Sequence, residues 1–106
     1  MSVTVVVING VGGGIGAQIV EPLRKDNLPG ISVIAPGTNA VATQRMVNAG
    51  ADRGVSAENA IRISIGLADF IIGPIAVVRP NAMMGEITPA IAEAVLAQRR
   101  MLAPVD

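Results

Sequence analysis

Residues Val3 to Gly16 read VTVVVINGVGGGIG, an unbroken β-branched run ending in an asparagine, then five glycines among the next seven residues. Branched side chains favour an extended backbone because they pack well on a pleated surface. The apolar residues are continuous rather than alternating, which marks a strand buried on both faces, and such strands belong to parallel sheets covered by helices. The glycines then permit a sharp turn into a helix whose first amides point above the sheet edge. Strand, turn and helix in that immediate succession form the opening unit of a doubly wound α/β fold.

The rest of the chain alternates in the same way. Val3 to Ile8 is strand one, and a helix from about Gly14 to Asp26 should turn Ile15, Ile19, Val20 and Leu23 inward. Pro22 removes one amide donor within it, so a kink or an early end is expected. Asn27 to Gly30 is a turn, Ile31 to Ala35 is strand two, and Pro36-Gly37 breaks it. Thr38 or Asn39 caps the next helix, which Gly50 ends. Ala51 to Val55 is a short third strand. Two readings stand for Ala57 to Leu67: a helix capped by Ser56 with Glu58 in its first turn, or a strand, because Ile61, Ile63 and Ile65 alternate with Arg62, Ser64 and Gly66. Asp69 to Gly73 is a clear strand and Pro74 to Ile87 is irregular. Thr88-Pro89 opens a final helix through Arg100, and Met101 to Val105 is a last strand. Strands joined by helices require right-handed crossovers, which predicts one Rossmann-like three-layer α/β domain over residues 1–106. Its parallel five-stranded sheet should take the order 3-2-1-4-5.

Composition narrows the function classes. The 106 residues are 51% hydrophobic and 15% charged, and Phe70 is the only aromatic, so the core is aliphatic. Apolar surplus on a small domain commonly goes into a subunit interface, so a homo-oligomer is expected; the alternative is a monomer that is merely rich in Ala and Val. Eight basic and eight acidic residues cancel, and with no basic stripe or stacking aromatics no nucleic-acid partner is expected. The chain has neither cysteine nor histidine, which removes disulfides, thiol nucleophiles, imidazole bases and the usual zinc or haem ligands. No metal site is assigned, although a carboxylate-held magnesium ion stays open. The opening apolar run follows Met1 without a basic flank, so no signal peptide is expected. Phe70 to Val78 is too short and too broken to span a bilayer, so no membrane partner is expected and the cytoplasm is the default compartment.

In doubly wound sheets ligands collect outside the carboxyl ends of the strands, where the order reverses beside strand one. That rule gathers Asn9 and the glycine loop, Thr38 and Asn39, Ser56, Glu58 and Asn59, then Arg79, Asn81 and Glu86, and finally Asp106. Asp52 and Asp69 precede their strands and belong to the opposite edge in structural roles. The glycine spacing fails the GxGxxG pattern when started at Gly10, because Ile15 stands in the last position. Gly10, Gly14 and Gly16 instead match the TGxxxGIG loop of the short-chain dehydrogenases, with Asn9 in place of the threonine. Gly10 would turn the chain, Gly14 would let the backbone approach phosphate, and Gly16 would let helix pack on strand. A glycine-rich turn that serves packing alone is the competing reading. No tyrosine is present and the only lysine, Lys25, lies on the first helix, so that class's catalytic pair is missing. Strand two ends Ala35-Pro36-Gly37-Thr38 rather than in a ribose-gripping acid. Thr38 and Asn39 offer neutral hydrogen bonds or ordinary capping, and Arg45 could reach a 2′-phosphate or be a solvated surface arginine.

The ordered set GVGGGIG, APGTNAVAT, NAGADRG, SAENA, ADFIIGPI and MMGEITPAIAEA is similar to a family of small bacterial proteins known only as a domain of unknown function. The resemblance implies a Rossmann-like fold and nucleotide binding, and it brings no reaction or catalytic residue. Pro22 and the end of the chain at Asp106, where members typically continue, are departures from it.

The expected function is therefore binding of NAD(P) or another nucleotide-like small molecule. Asn9, Gly10, Gly12, Gly13, Gly14, Ile15, Gly16, Gly37, Thr38, Asn39, Gly73 and Pro74 would surround it. Two alternatives remain open. One is a small enzyme on a phosphorylated or carboxylated substrate, with Glu58 or Glu86 as acid–base group. The other is a regulatory or assembly subunit that uses the apolar surplus and the Met83-Met84 stretch.

Overall fold

Alternate residues of the first strand, β1 (Val3–Val7), feed two separate cores, one on each face of the sheet. Val5 and Val7 pack with Val20, Val33, Ala35 and Met46, while Val6 and Ile8 pack with Ile34, Ile61, Ile65, Ile71, Ile91 and Val95. The computed structural model describes residues 3–10, 13–25, 29–74, 81, 85, 87–97 and 101–105. In chain order the remaining elements are α1 (Gly14–Lys25), β2 (Ile31–Pro36), α2 (Ala40–Asn48), β3 (Arg53–Val55), α3 (Glu58–Gly66), β4 (Phe70–Pro74), α4 (Pro89–Ala97) and β5 (Met101–Val105). β1 pairs in parallel with β2 and with β4, and β2 pairs in parallel with β3. Met101–Val105 runs parallel to β4, with Ile71 opposite Leu102. The result is one α/β domain with α1 and α2 against one face of a parallel sheet and α3 and α4 against the other.

Several local expectations are refined. The Ala57 to Leu67 segment is a helix, because Ile61, Ile65 and Ala68 share the inner face at helical spacing and join the core around β1. Its N-cap is Ala57, with no side-chain cap hydrogen bond, so Ser56 does not cap it. Of the two candidate caps for α2, Asn39 takes the role: its Oδ1 accepts from the Ala42 amide at 2.8 Å. At the other end of α2, the Gly50 amide donates to the Val47 carbonyl and the Ala51 amide to the Met46 carbonyl, a paired stop that Gly50 makes at φ +120.

The helix α1 does not end at Pro22 but continues to Lys25. Proline withholds the amide that would reach the Gln18 carbonyl, and both residues are exposed, so water can serve that carbonyl. Nor do Pro36 and Gly37 break the second strand: Pro36 is its last residue, and Gly37 extends the sheet through a bridge with Asn9. Ile87, from a stretch that reads as irregular, is fully buried in the α3–α4 core, and its carbonyl accepts from the Asn81 amide at 2.7 Å. The final helix opens as expected, with the Thr88 hydroxyl accepting from the Ile91 amide and Pro89 in the first position.

Asp52 and Asp69 both lie at the amino edge of the sheet and play the same part there. The Asp69 amide donates to the Thr4 carbonyl (2.8 Å) while its carboxylate accepts from the Thr4 amide (2.8 Å). Asp52 does likewise with Val33, at 2.9 and 2.8 Å. Each aspartate thus extends the ladder by one residue before its strand begins, and Asp52 also pairs with Arg24 at 3.4 Å. Loss of the half-buried Asp69 carboxylate in Asp69→Ala strands a backbone donor, and should lower stability by about 1–3 kcal/mol in urea unfolding. Asp52→Ala, at a more exposed carboxylate, should lose less. An unchanged unfolding midpoint in Asp69→Ala would refute this role.

Candidate functional site

The carboxyl edge is tied together at Asn9. Its amide donates to the Pro36 carbonyl at 3.1 Å and its carbonyl accepts from the Thr38 amide at 2.9 Å. Gly37 in turn donates to Val55 at 2.9 Å, so the ends of β1, β2 and β3 are joined through backbone groups. Asn9 itself is only 3% exposed. Beyond it the chain turns where the Gly10 carbonyl accepts from the Gly13 amide (3.0 Å), and the Gly13 carbonyl accepts from Ala17 (3.0 Å) to start α1.

The glycines of this edge divide into two kinds. Gly13 has φ +76, and a Cβ there would sit 2.7 Å from the Ala42 Cα and 2.9 Å from the Ala42 carbonyl oxygen. A Cβ on Gly16 would lie 2.5 Å from the Met46 sulfur and 3.0 Å from the Asn9 Cβ. One on Gly37 would overlap the Thr43 hydroxyl and amide, and one on Gly73 would lie 2.6 Å from the Ile8 carbonyl oxygen. All four are needed by neighbours within the chain. Gly14 is different. Its Cβ position is open to ordinary contact, and the nearest group is the Arg45 guanidinium, with Nη1 at 3.6 Å and Cζ at 3.8 Å.

That placement sets two positive groups side by side. The N-terminal amides of α1 carry the positive end of the helix dipole, and the first turn of α1 contains no acidic residue. Among the described residues Arg45 forms no ion pair; the pair present is Arg24–Asp52, at the other edge. An anion over Gly14 would interact favourably with both the amides and the guanidinium. Two exposed apolar side chains stand on the first turns of α1 and α2, Ile15 (36% exposed) and Val41 (68% exposed). Val41 lies one turn before Arg45 on the same face of α2.

The predicted site residues therefore sort as follows. Asn9, Gly10, Gly13, Gly14, Ile15, Gly16, Gly37, Thr38, Asn39 and Gly73 all occupy the carboxyl edge, with Pro74 at the end of β4. Ile15 does not face the core as expected: it stands about 140° around the helix from the buried Val20, which turns it outward. Asn39 commits its side-chain oxygen to capping α2. Glu58, exposed at the start of α3, accepts a hydrogen bond from the Thr88 hydroxyl at the start of α4, so it joins two helix ends. Gly12, Arg79, Met83, Met84, Glu86 and Asp106 lie outside the described residues. Among the described residues, no three acidic side chains gather as a metal site would need, and no helix is long and apolar enough to cross a membrane.

A family model described as Domain of unknown function (DUF3842) matches residues 4–106. The chain belongs to this family. No curated protein matches it. Membership of the DUF3842 family agrees with the resemblance carried by the glycine loop and the motifs after it, and it assigns no ligand. The candidate site of this DUF3842 chain is read from its geometry, in which Arg45, exposed on α2, stands beside Gly14. Its signal was present as a basic residue one turn into α2, but nothing local distinguished it from a solvated side chain.

The division among glycines is measurable. Gly13→Ala and Gly16→Ala should each destabilise the protein by about 1–3 kcal/mol, through left-handed strain and overpacking respectively. Gly14→Ala should leave the unfolding midpoint within about 0.5 kcal/mol of the parent. Equal losses at all three positions in thermal or urea melts would mean that Gly14 too is a packing glycine.

Proposed function

We propose that this DUF3842 protein is a cytoplasmic nucleotide- or dinucleotide-binding module on a five-stranded Rossmann-like sheet of order 3-2-1-4-5. A ligand phosphate lies on the amides that lead into α1 and against Arg45. The observation that carries this reading is the Arg45 guanidinium stationed 3.6 Å from the open Cβ position of Gly14, with no acid in the first turn of α1. Phosphate suits that pair because a planar guanidinium binds its oxygens in a fork while the helix amides donate from the other side. Ile15 and Val41 give the apolar contact that a base or nicotinamide ring needs. Thr38 and Asn39 at the end of β2, with Gly73 and Pro74 at the end of β4, flank the ligand.

Binding is favoured over catalysis for two reasons. The Glu58 carboxylate is engaged by Thr88 rather than poised over the glycine loop. The chain also lacks tyrosine, and its one lysine, Lys25, lies at the far end of α1, so the acid–base pair of the short-chain dehydrogenases is absent.

Calorimetric titration with NAD, NADP, ATP and inorganic phosphate tests the assignment. A phosphate-bearing ligand should bind, and Arg45→Ala should weaken that binding about tenfold or more, the loss of one charge-assisted contact. The exposed position of Arg45 means that the same variant should melt within about 0.5 kcal/mol of the parent. Absence of binding by every probe at millimolar concentration would overturn the proposal.

A further inference from the structure

The helix α4 reads PAIAEAVLA and carries a single charge, Glu93. A helix that is apolar nearly all round is normally covered on every side. Among the described residues α4 is covered on one side: Ile91, Ala92 and Val95 are buried, while Leu96 is 65% exposed and Glu93 and Ala97 face solvent. A groove of about 260 Å³ runs beside it, lined by Arg62 from α3 and by Ala90, Glu93, Ala94 and Ala97 from α4. Next to Arg62 on α3 stands Ile63, 59% exposed, just as Leu96 stands three residues beyond Glu93.

This face has the same pattern read from either rim: an exposed aliphatic residue, a charge, then the small-residue floor of the groove. Arg62 and Glu93 line one groove, yet among the described residues neither forms an ion pair. We propose that a second copy of this chain covers the α3–α4 face in a two-fold dimer. Two-fold contacts are reciprocal, so an axis over the groove sets Arg62 against the partner's Glu93 and Glu93 against the partner's Arg62. The alanines let the helices of the two copies approach closely, and Leu96 and Ile63 leave water together at the rim. A second copy fits because Arg62 and Glu93 carry opposite signs on one groove, so each meets its counter-charge in the other chain. The location is independent of the glycine loop, on the α3–α4 side of the sheet.

Sedimentation velocity of the full chain and of charge-swapped variants tests this. The wild-type chain of 10.8 kDa should sediment as a dimer at micromolar concentration. Arg62→Glu alone and Glu93→Arg alone each set like charges face to face, and should weaken association about tenfold or more. The double variant Arg62→Glu/Glu93→Arg restores opposite charges across the axis and should recover the dimer. Leu96→Lys should dissociate it, and unchanged circular dichroism in each variant shows that folding is intact. A strictly monomeric wild type would overturn the proposal. So would a dimer indifferent to Leu96→Lys and the single swaps, or single-swap losses that the double variant does not recover.

Discussion

Burial of β1 on both faces is the constraint from which the rest of the molecule follows. A strand with Val5 and Val7 in one core and Val6 and Ile8 in the other needs a strand on each side and a helical layer above and below. β2 and β4 supply the two neighbours, and the chain reaches them by crossovers that leave β1 in opposite directions. At the carboxyl end of β1, Asn9 ends the ladder and the chain turns into α1. The loop has little room. α2 closes over Gly13 through Ala42 and over Gly16 through Met46, so those two positions admit no side chain.

The two edges of the sheet are finished by opposite chemistry. At the amino edge, carboxylates close the ladder: Asp69 on Thr4 and Asp52 on Val33, the latter joined by Arg24. At the carboxyl edge, backbone groups close it, and no described carboxylate reaches the amides that lead into α1. Among the described residues, the Arg45 guanidinium stands beside Gly14 at the start of α1. The amino edge is thus closed by carboxylates on strand amides, and at the carboxyl edge a guanidinium stands beside the start of α1.

Much of this was legible locally because local residues enforce it. Thr88-Pro89 starts α4, Gly50 stops α2, and both aspartates lie before their strands as expected. Other outcomes were not legible in this way. Ser56 has the chemistry of a cap, yet α3 begins one residue later without one. Ile15 has the chemistry of a core residue, yet its angle around α1 turns it to solvent. Ile87 sits in a segment with no period to read, and it is buried because α3 and α4 close over it. The alternation of Ile61, Ile63 and Ile65 suits a strand as well as a helix, and helical packing of Ile61, Ile65 and Ala68 on the sheet selects between them.

By itself the sequence determined the fold class, the order of elements and the turn after β1. Those depend on branched residues, capping groups and glycines that act on their own backbone. Only the tertiary structure decided what each glycine of that turn is for. Gly13 and Gly16 have the same chemistry as Gly14, and the difference lies in α2, which presses Ala42 and Met46 against the first two and brings the Arg45 guanidinium to the third. Contacts between elements far apart in the chain are set by how helices seat on the sheet, and no spacing within one segment encodes them.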